Sequence, residues 1–139
     1  MEETIYIHKT LASDKNAVKI IEPLIWDIKN SLSLTDERIY NILIAVTEAI
    51  NNAVSHGNKY DTTKKVEFSI RVIENEIIFV VIDEGSGFNP ENVPDPRDPN
   101  NLFREGGRGV FLIQQLSDEA FFSDNGRQLT MKFFINKQS

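Results

Sequence analysis

Three short groups of residues have types and spacings that could do chemistry. The first is Glu48 with Asn52. Residues four apart on a helix stack on one face a turn apart, so this pair would present an acid and an amide oxygen together. Hard oxygens so placed suit Mg²⁺ or a water bound to it; a solvated polar face is the alternative. The second is the apolar run from Ile77 to Ile82, which leads into Asp83-Glu84-Gly85-Ser86-Gly87-Phe88. A carboxylate at a strand end can accept a hydrogen bond from an exocyclic amine. The two glycines permit positive φ and close approach of a flat ligand; a plain glycine turn after an edge strand is the alternative. The third is Gly106-Gly107-Arg108-Gly109 ahead of Val110-Phe111-Leu112-Ile113. Glycines leading into a helix leave backbone N–H groups free for an anion. Arg104 and Arg108 add positive charge where a polyphosphate would sit. The spacing is neither that of a P-loop nor that of a dinucleotide fingerprint.

These groups need elements to hold them. A strand is expected over residues 4–8, where Ile5 and Ile7 alternate with polar neighbours. Ser13 is the expected cap of a helix to about residue 31, with Ala17, Ile20, Ile21, Leu24, Ile25 and Ile28 recurring every three or four positions. Thr35 is the expected cap of a second helix, with Asp36 and Glu37 in its first turn. It runs to about residue 55, and Gly57 ends it. Ile39, Ile42, Leu43, Val46, Ile50 and Ala53 form its apolar stripe, with Glu48 and Asn52 opposite the stripe's centre. Strands over 66–73 and 77–83 follow as a hairpin. Residues 85–109 then hold five of the seven glycines, and residues 90–99 hold four of the five prolines. So long a Pro- and Gly-rich segment inside a compact domain reads as a lid or binding loop. A helix over 109–116 and strands over 119–123 and 128–135 complete the chain, the last two turning at Asp124-Asn125-Gly126. This order implies an α+β fold, a largely antiparallel sheet with helices on one face.

Composition removes several function classes. The 139 residues suit a single domain over 1–139. There are 21 acids against 15 bases, a net charge of −6. Such a chain, without a basic stretch, is poorly suited to nucleic acid or to an anionic membrane. No cysteine is present, so disulfides, thiol catalysis and cysteine–zinc sites are excluded, and the two histidines exclude a histidine-rich metal site. No apolar run approaches the ~18 residues of a membrane span. The acidic N-terminus lacks the apolar stretch of a signal peptide, and a cytoplasmic location is expected.

Taken together, the three groups resemble the motifs of the GHKL, or Bergerat-fold, ATPases. Glu48-x3-Asn52-x3-His56-Gly57 is similar to their N-box, Asp83-x-Gly85-x-Gly87-Phe88 to their G1 box, and Gly107-Arg108-Gly109 to their G2 box. All three come in the family's order, and the resemblance covers about residues 39–135. The N-terminal strand and helix and the short length are most similar to the anti-sigma-factor serine kinases.

The resemblance implies a Bergerat-type two-layer sandwich that binds ATP and Mg²⁺. Asn52 would coordinate the metal, and Glu48 would orient or deprotonate the attacking hydroxyl or water. Asp83 would accept from the adenine amino group, with Gly85, Gly87 and Phe88 shaping that pocket. Gly106, Gly107, Arg108 and Gly109 would meet the phosphates, and Arg104 would reach them from an ATP lid over about 89–107. His56 would position the end of its helix. The implied activity is transfer of the γ-phosphoryl group to a serine of a STAS-domain anti-anti-sigma protein, together with sequestration of a sigma factor, by a homodimer. A nucleotide-gated interaction module with little kinase activity is the alternative. One stretch departs from the family, whose last strand often opens Gly-Thr-Thr with a threonine supporting the aspartate. Here it reads Gly126-Arg127-Gln128-Leu129-Thr130. Either Gln128 substitutes, or Thr130 lies elsewhere and the pocket is altered.

Overall fold

A computed structural model describes residues 3–87 and 107–136 of the chain. The elements run β1 (Glu3–Ala12), α1 (Ala17–Leu32), α2 (Asp36–Asn52), a π-helical turn (Ala53–Gly57), β2 (Lys65–Ile73), β3 (Glu76–Ile82), α3 (Gly107–Leu116), β4 (Glu119–Ser123) and β5 (Gln128–Phe134). The strands form one five-stranded sheet in the order β1-β2-β3-β5-β4. Every pairing in it is antiparallel. The α+β fold expected from the sequence is therefore the one observed.

Alternation decides the sheet's inner face. Val66, Phe68, Ile70 and Val72 of β2, Ile77, Phe79 and Val81 of β3, and Leu129, Met131 and Phe133 of β5 are buried in one cluster with the apolar stripes of the helices. Its centre is aromatic: Phe79 lies edge-on to Phe133 with centroids 5.8 Å apart, and 6.2 Å from Phe68. Such pairs add to what burial alone contributes. The β4–β5 hairpin turns where Asp124, Asn125 and Gly126 all take positive φ, a conformation these residue types tolerate best.

The helices depart from expectation in instructive ways. The Thr35 hydroxyl caps α2 as expected, accepting from the Arg38 N–H at 3.1 Å. Ser13 does not cap α1, which begins at Ala17. Its side chain is fully buried instead, donating to the Lys64 carbonyl at 2.8 Å and accepting from Asn58 Nδ2 at 2.7 Å. Ile20 is 51% exposed, because α1 buries Ala17, Ile21, Ile25 and Ile28, and Ile20 lies one step of about 100° round from Ile21. α2 also buries Ala45 and Ala49, which lie outside the stripe read from the sequence. These two small residues share the side of the helix that carries Asn52, and α3 packs against α2. Arg38 pins this arrangement through a buried ion pair with Asp118 at 2.9 Å, and the same Asp118 oxygen accepts from the Phe134 N–H at 2.8 Å.

Candidate functional site

The site is strung along the C-terminal half of α2. Glu48 and Asn52, partly exposed, meet the first turn of α3. A methyl group on Gly109 would stand 2.8 Å from Asn52 Nδ2 and 3.0 Å from Glu48 Oε2. The acid and the amide thus do not face open solvent opposite the stripe; they face the helix start expected to hold an anion. The N–H groups of Gly107, Arg108 and Gly109 lack acceptors within α3, as in the first turn of any helix. Arg108 is exposed. Phe88, Arg104, Gly106 and nearly all of the expected lid lie outside the described residues.

The far end of the site forms where α2 relaxes into a π turn over Ala53–Gly57. Such turns are uncommon and often mark functional sites. Here the turn delivers Gly57 against Asp83. A methyl on Gly57 would lie 2.5 Å from the Asp83 carboxylate, and one on Gly85 would lie 2.1 Å from the Gly57 carbonyl oxygen. Only glycines let these backbones meet around the carboxylate. Gly87 takes a φ of 82°, which explains the second glycine of the motif. Asp83 Oδ1 accepts from the Gly85 N–H at 2.8 Å. Burial raises the Asp83 pKa above the ordinary carboxylate range; the Gly85 N–H and the charges of Arg127 and Lys64 oppose that shift.

Glu48 and Gly57 stand nine positions apart along α2 and its π turn, more than two turns of helix. That length suits a ligand with a flat polar base at the Asp83 end and anionic groups at the Gly109 end. Among the described residues no group of three or more His, Asp or Glu side chains could hold a cation. Asn52 and Glu48 alone would fit Mg²⁺, which usually keeps waters and phosphate oxygens as its other ligands.

Two residues of the site escaped the sequence reading. Asn58 is 1% exposed; its Nδ2 donates to Ser13 Oγ and to the Lys65 carbonyl, and its Oδ1 accepts from the Glu84 N–H at 2.8 Å. It ties the end of the π turn to the residue after Asp83. Its only local signal is an amide directly after a helix-ending glycine. Arg127 is the other. The ladder pairs Ile82 with Gln128 and Val80 with Thr130, so both polar β5 residues share the face of Ile82 and Val80. Asp83 points to the opposite, helix-bearing side, towards Gly57. Neither Gln128 nor Thr130 therefore supports it, and Arg127 stands across from it. Only the strand register reveals this.

The two-layer α+β fold sets an acid–amide pair on one helix against a glycine-led helix start. The chain belongs to the histidine kinase-like ATPase domain family, whose model matches residues 11–133. It is similar to the serine-protein kinase RsbW of Oceanobacillus iheyensis, 26% identical over 140 residues, covering 96% of this chain and 89% of that protein. It is also similar to the serine-protein kinase RsbW of Staphylococcus aureus, 28% identical over 141 residues with the same coverage. Its fold matches a crystal structure of the RsbU and RsbW domains of a Mycobacterium tuberculosis protein with a TM-score of 0.64 at 18% identity, covering 94% of this chain and 31% of that one. Among the described residues no helix is long and apolar enough to cross a membrane.

Proposed function

We propose that this chain is a Mg²⁺-dependent protein serine kinase that transfers the γ-phosphoryl group of ATP to a serine of a STAS-domain partner, and that it restrains a sigma factor according to that partner's phosphorylation. The observation that carries this reading is the seat of Gly109 against Glu48 and Asn52. It supports reading Glu48 as a base beside a phosphate cradle. A site that only binds nucleotide has no use for that base.

In this reading Asp83 accepts from the adenine amino group, and Gly57 and Gly85 let the base lie close. Asn52 offers its amide oxygen to Mg²⁺, which neutralises phosphate charge when bound. The N–H groups at the start of α3 hold the phosphate oxygens, where the helix dipole favours negative charge. Glu48 accepts the proton of the attacking serine hydroxyl. Phosphoryl transfer requires mainly such positioning and charge stabilisation. Phe88, Gly106, Arg104 and the lid over 89–107 take their roles from the family resemblance. A phosphate added to the partner brings about two negative charges and changes which complex wins. Its relatives in Oceanobacillus iheyensis and Staphylococcus aureus are serine-protein kinases by name, which supports the reaction class. A homodimer is the assembly the resemblance implies. The outer sheet face, with Ile78, Val80, Ile82 and the 47% exposed Phe121, offers apolar surface for it.

The test is transfer from γ-labelled ATP in an extract of the source cells, wild type beside Glu48→Gln. A small protein labelled only by the wild type is expected. Equal labelling by both would remove Glu48 from the chemistry. No labelling, with ATP binding intact, would favour a nucleotide-gated interaction module.

A further inference from the structure

Within the turn that follows Asp83, the Asp83 carboxylate holds the Gly85 N–H at 2.8 Å, and the carbonyls of Gly85 and Ser86 are held from outside it. Gly85 and Gly87 have no side chains, and Gly87 lies in the left-handed region. On one side, Asn58 holds the Glu84 N–H. On the other, among the described residues, the Arg127 guanidinium does the holding. Arg127 Nε donates to the Gly85 carbonyl at 2.8 Å and Nη2 to the Ser86 carbonyl at 3.2 Å. Its Nη1 donates to the Asp124 carbonyl at 3.2 Å and reaches the Asp124 carboxylate at 3.4 Å. The Arg127 carbonyl itself accepts from the Asp83 N–H at 3.0 Å. The residue therefore grips Asp83 by the backbone and the Gly85 and Ser86 carbonyls by the side chain. A planar fork with several donors can bridge two carbonyls at once; an ammonium is a point donor on a flexible stem.

We infer that Arg127 is a positioning residue of the nucleobase site, clamping the Gly85–Ser86 turn onto the β4–β5 hairpin so that the Asp83 carboxylate meets an exocyclic amine. The inference rests on the assignment of Asp83 to the adenine amino group. It also explains how the chain manages with Gln128 and Thr130 facing away: the support comes from across the ladder. Electrostatics acts in the same sense. The Arg127 and Lys64 charges favour the ionised Asp83, against burial and the Asp124 charge.

The test compares two ligands on the full chain, ADP and purine riboside 5′-diphosphate, which lacks the exocyclic amine. Wild type should bind ADP about tenfold more tightly, the scale of a hydrogen bond to a charged group. Equal affinity, or a preference that survives Asp83→Ala, which leaves no side-chain acceptor, would remove the adenine assignment and the inference with it. Given that preference, Arg127→Ala should weaken ADP about tenfold and leave the analogue within about twofold, so that discrimination collapses. If both ligands weaken equally, or the preference persists, Arg127 is merely structural and the inference is overturned. Arg127→Lys keeps the charge without the fork and should restore only part of the preference. It also reads the same question should the alanine variant not fold, and full restoration would overturn the bridging role.

Discussion

Replacing Gly109 with alanine should separate stability from activity. The new methyl would stand 2.8 Å from Asn52 Nδ2 and 3.0 Å from Glu48 Oε2. To reach ordinary contact near 3.4 Å, these atoms must withdraw by about 0.6 and 0.4 Å. Both are the ends of flexible, partly exposed side chains, so the fold can accommodate them at little cost. Alanine also loses less backbone entropy than glycine on folding. The melting temperature should therefore stay level or rise. Chemistry has no such slack, since a displacement of about 1 Å can cost about a hundredfold in rate. Half that displacement should cost about tenfold, with a parallel loss of Mg²⁺-dependent nucleotide affinity. Melting followed by circular dichroism, beside transfer from γ-labelled ATP, reads both. Gly85→Ala is the contrast: its methyl would lie 2.1 Å from the Gly57 carbonyl oxygen, which belongs to backbone. That variant should lose about 3 kcal/mol or more of stability. If Gly109→Ala transferred phosphate at the wild-type rate, the acid and amide would not act from the places assigned to them.

Three further outcomes are expected. Asn52→Ala should abolish the Mg²⁺-dependent part of nucleotide binding in calorimetric titrations with and without the metal; an unchanged metal effect would refute its role. Asp83→Asn should weaken ADP about tenfold or more while leaving the fold at least as stable near neutral pH. The sign follows from the raised pKa: ionising Asp83 in the fold costs stability that is present below the unfolded pKa of 3.8 and lost as pH rises through the folded value. The amide escapes that cost, so a lower melting point at pH 7 would contradict the reasoning. Arg38→Ala takes the guanidinium from Asp118, a carboxylate only 5% exposed, and should cost about 3 kcal/mol in urea denaturation.

What was legible in the chain was local. Period-2 alternation marked β2, β3 and β5, and period-3.6 stripes marked α1 and α2, because each pattern needs only neighbours along the chain. Thr35 announced its cap through its own hydroxyl and the acids after it. The hairpin turn at Asp124-Asn125-Gly126 announced itself through residue types that tolerate positive φ. The three chemical groups were readable for the same reason, as close spacings on single elements. β1 and α3 were misjudged at their ends: β1 continues to Ala12 because β2 pairs with it that far, and α3 begins two residues early, at Gly107.

What the tertiary structure decided was everything that depends on two distant segments meeting. Ser13 reads as a cap until Asn58 and Lys64 claim its hydroxyl. Glu48 and Asn52 read equally as metal ligands or as a solvated face until α3 packs on α2 and sets Gly109 against them. Arg127 carries no signal of its own in the stretch that opens the last strand until the β3–β5 register sets it opposite Asp83. Residue types and spacing determined which chemistry was available. Packing and strand register, which follow from contacts far apart in sequence, determined which groups face one another to perform it.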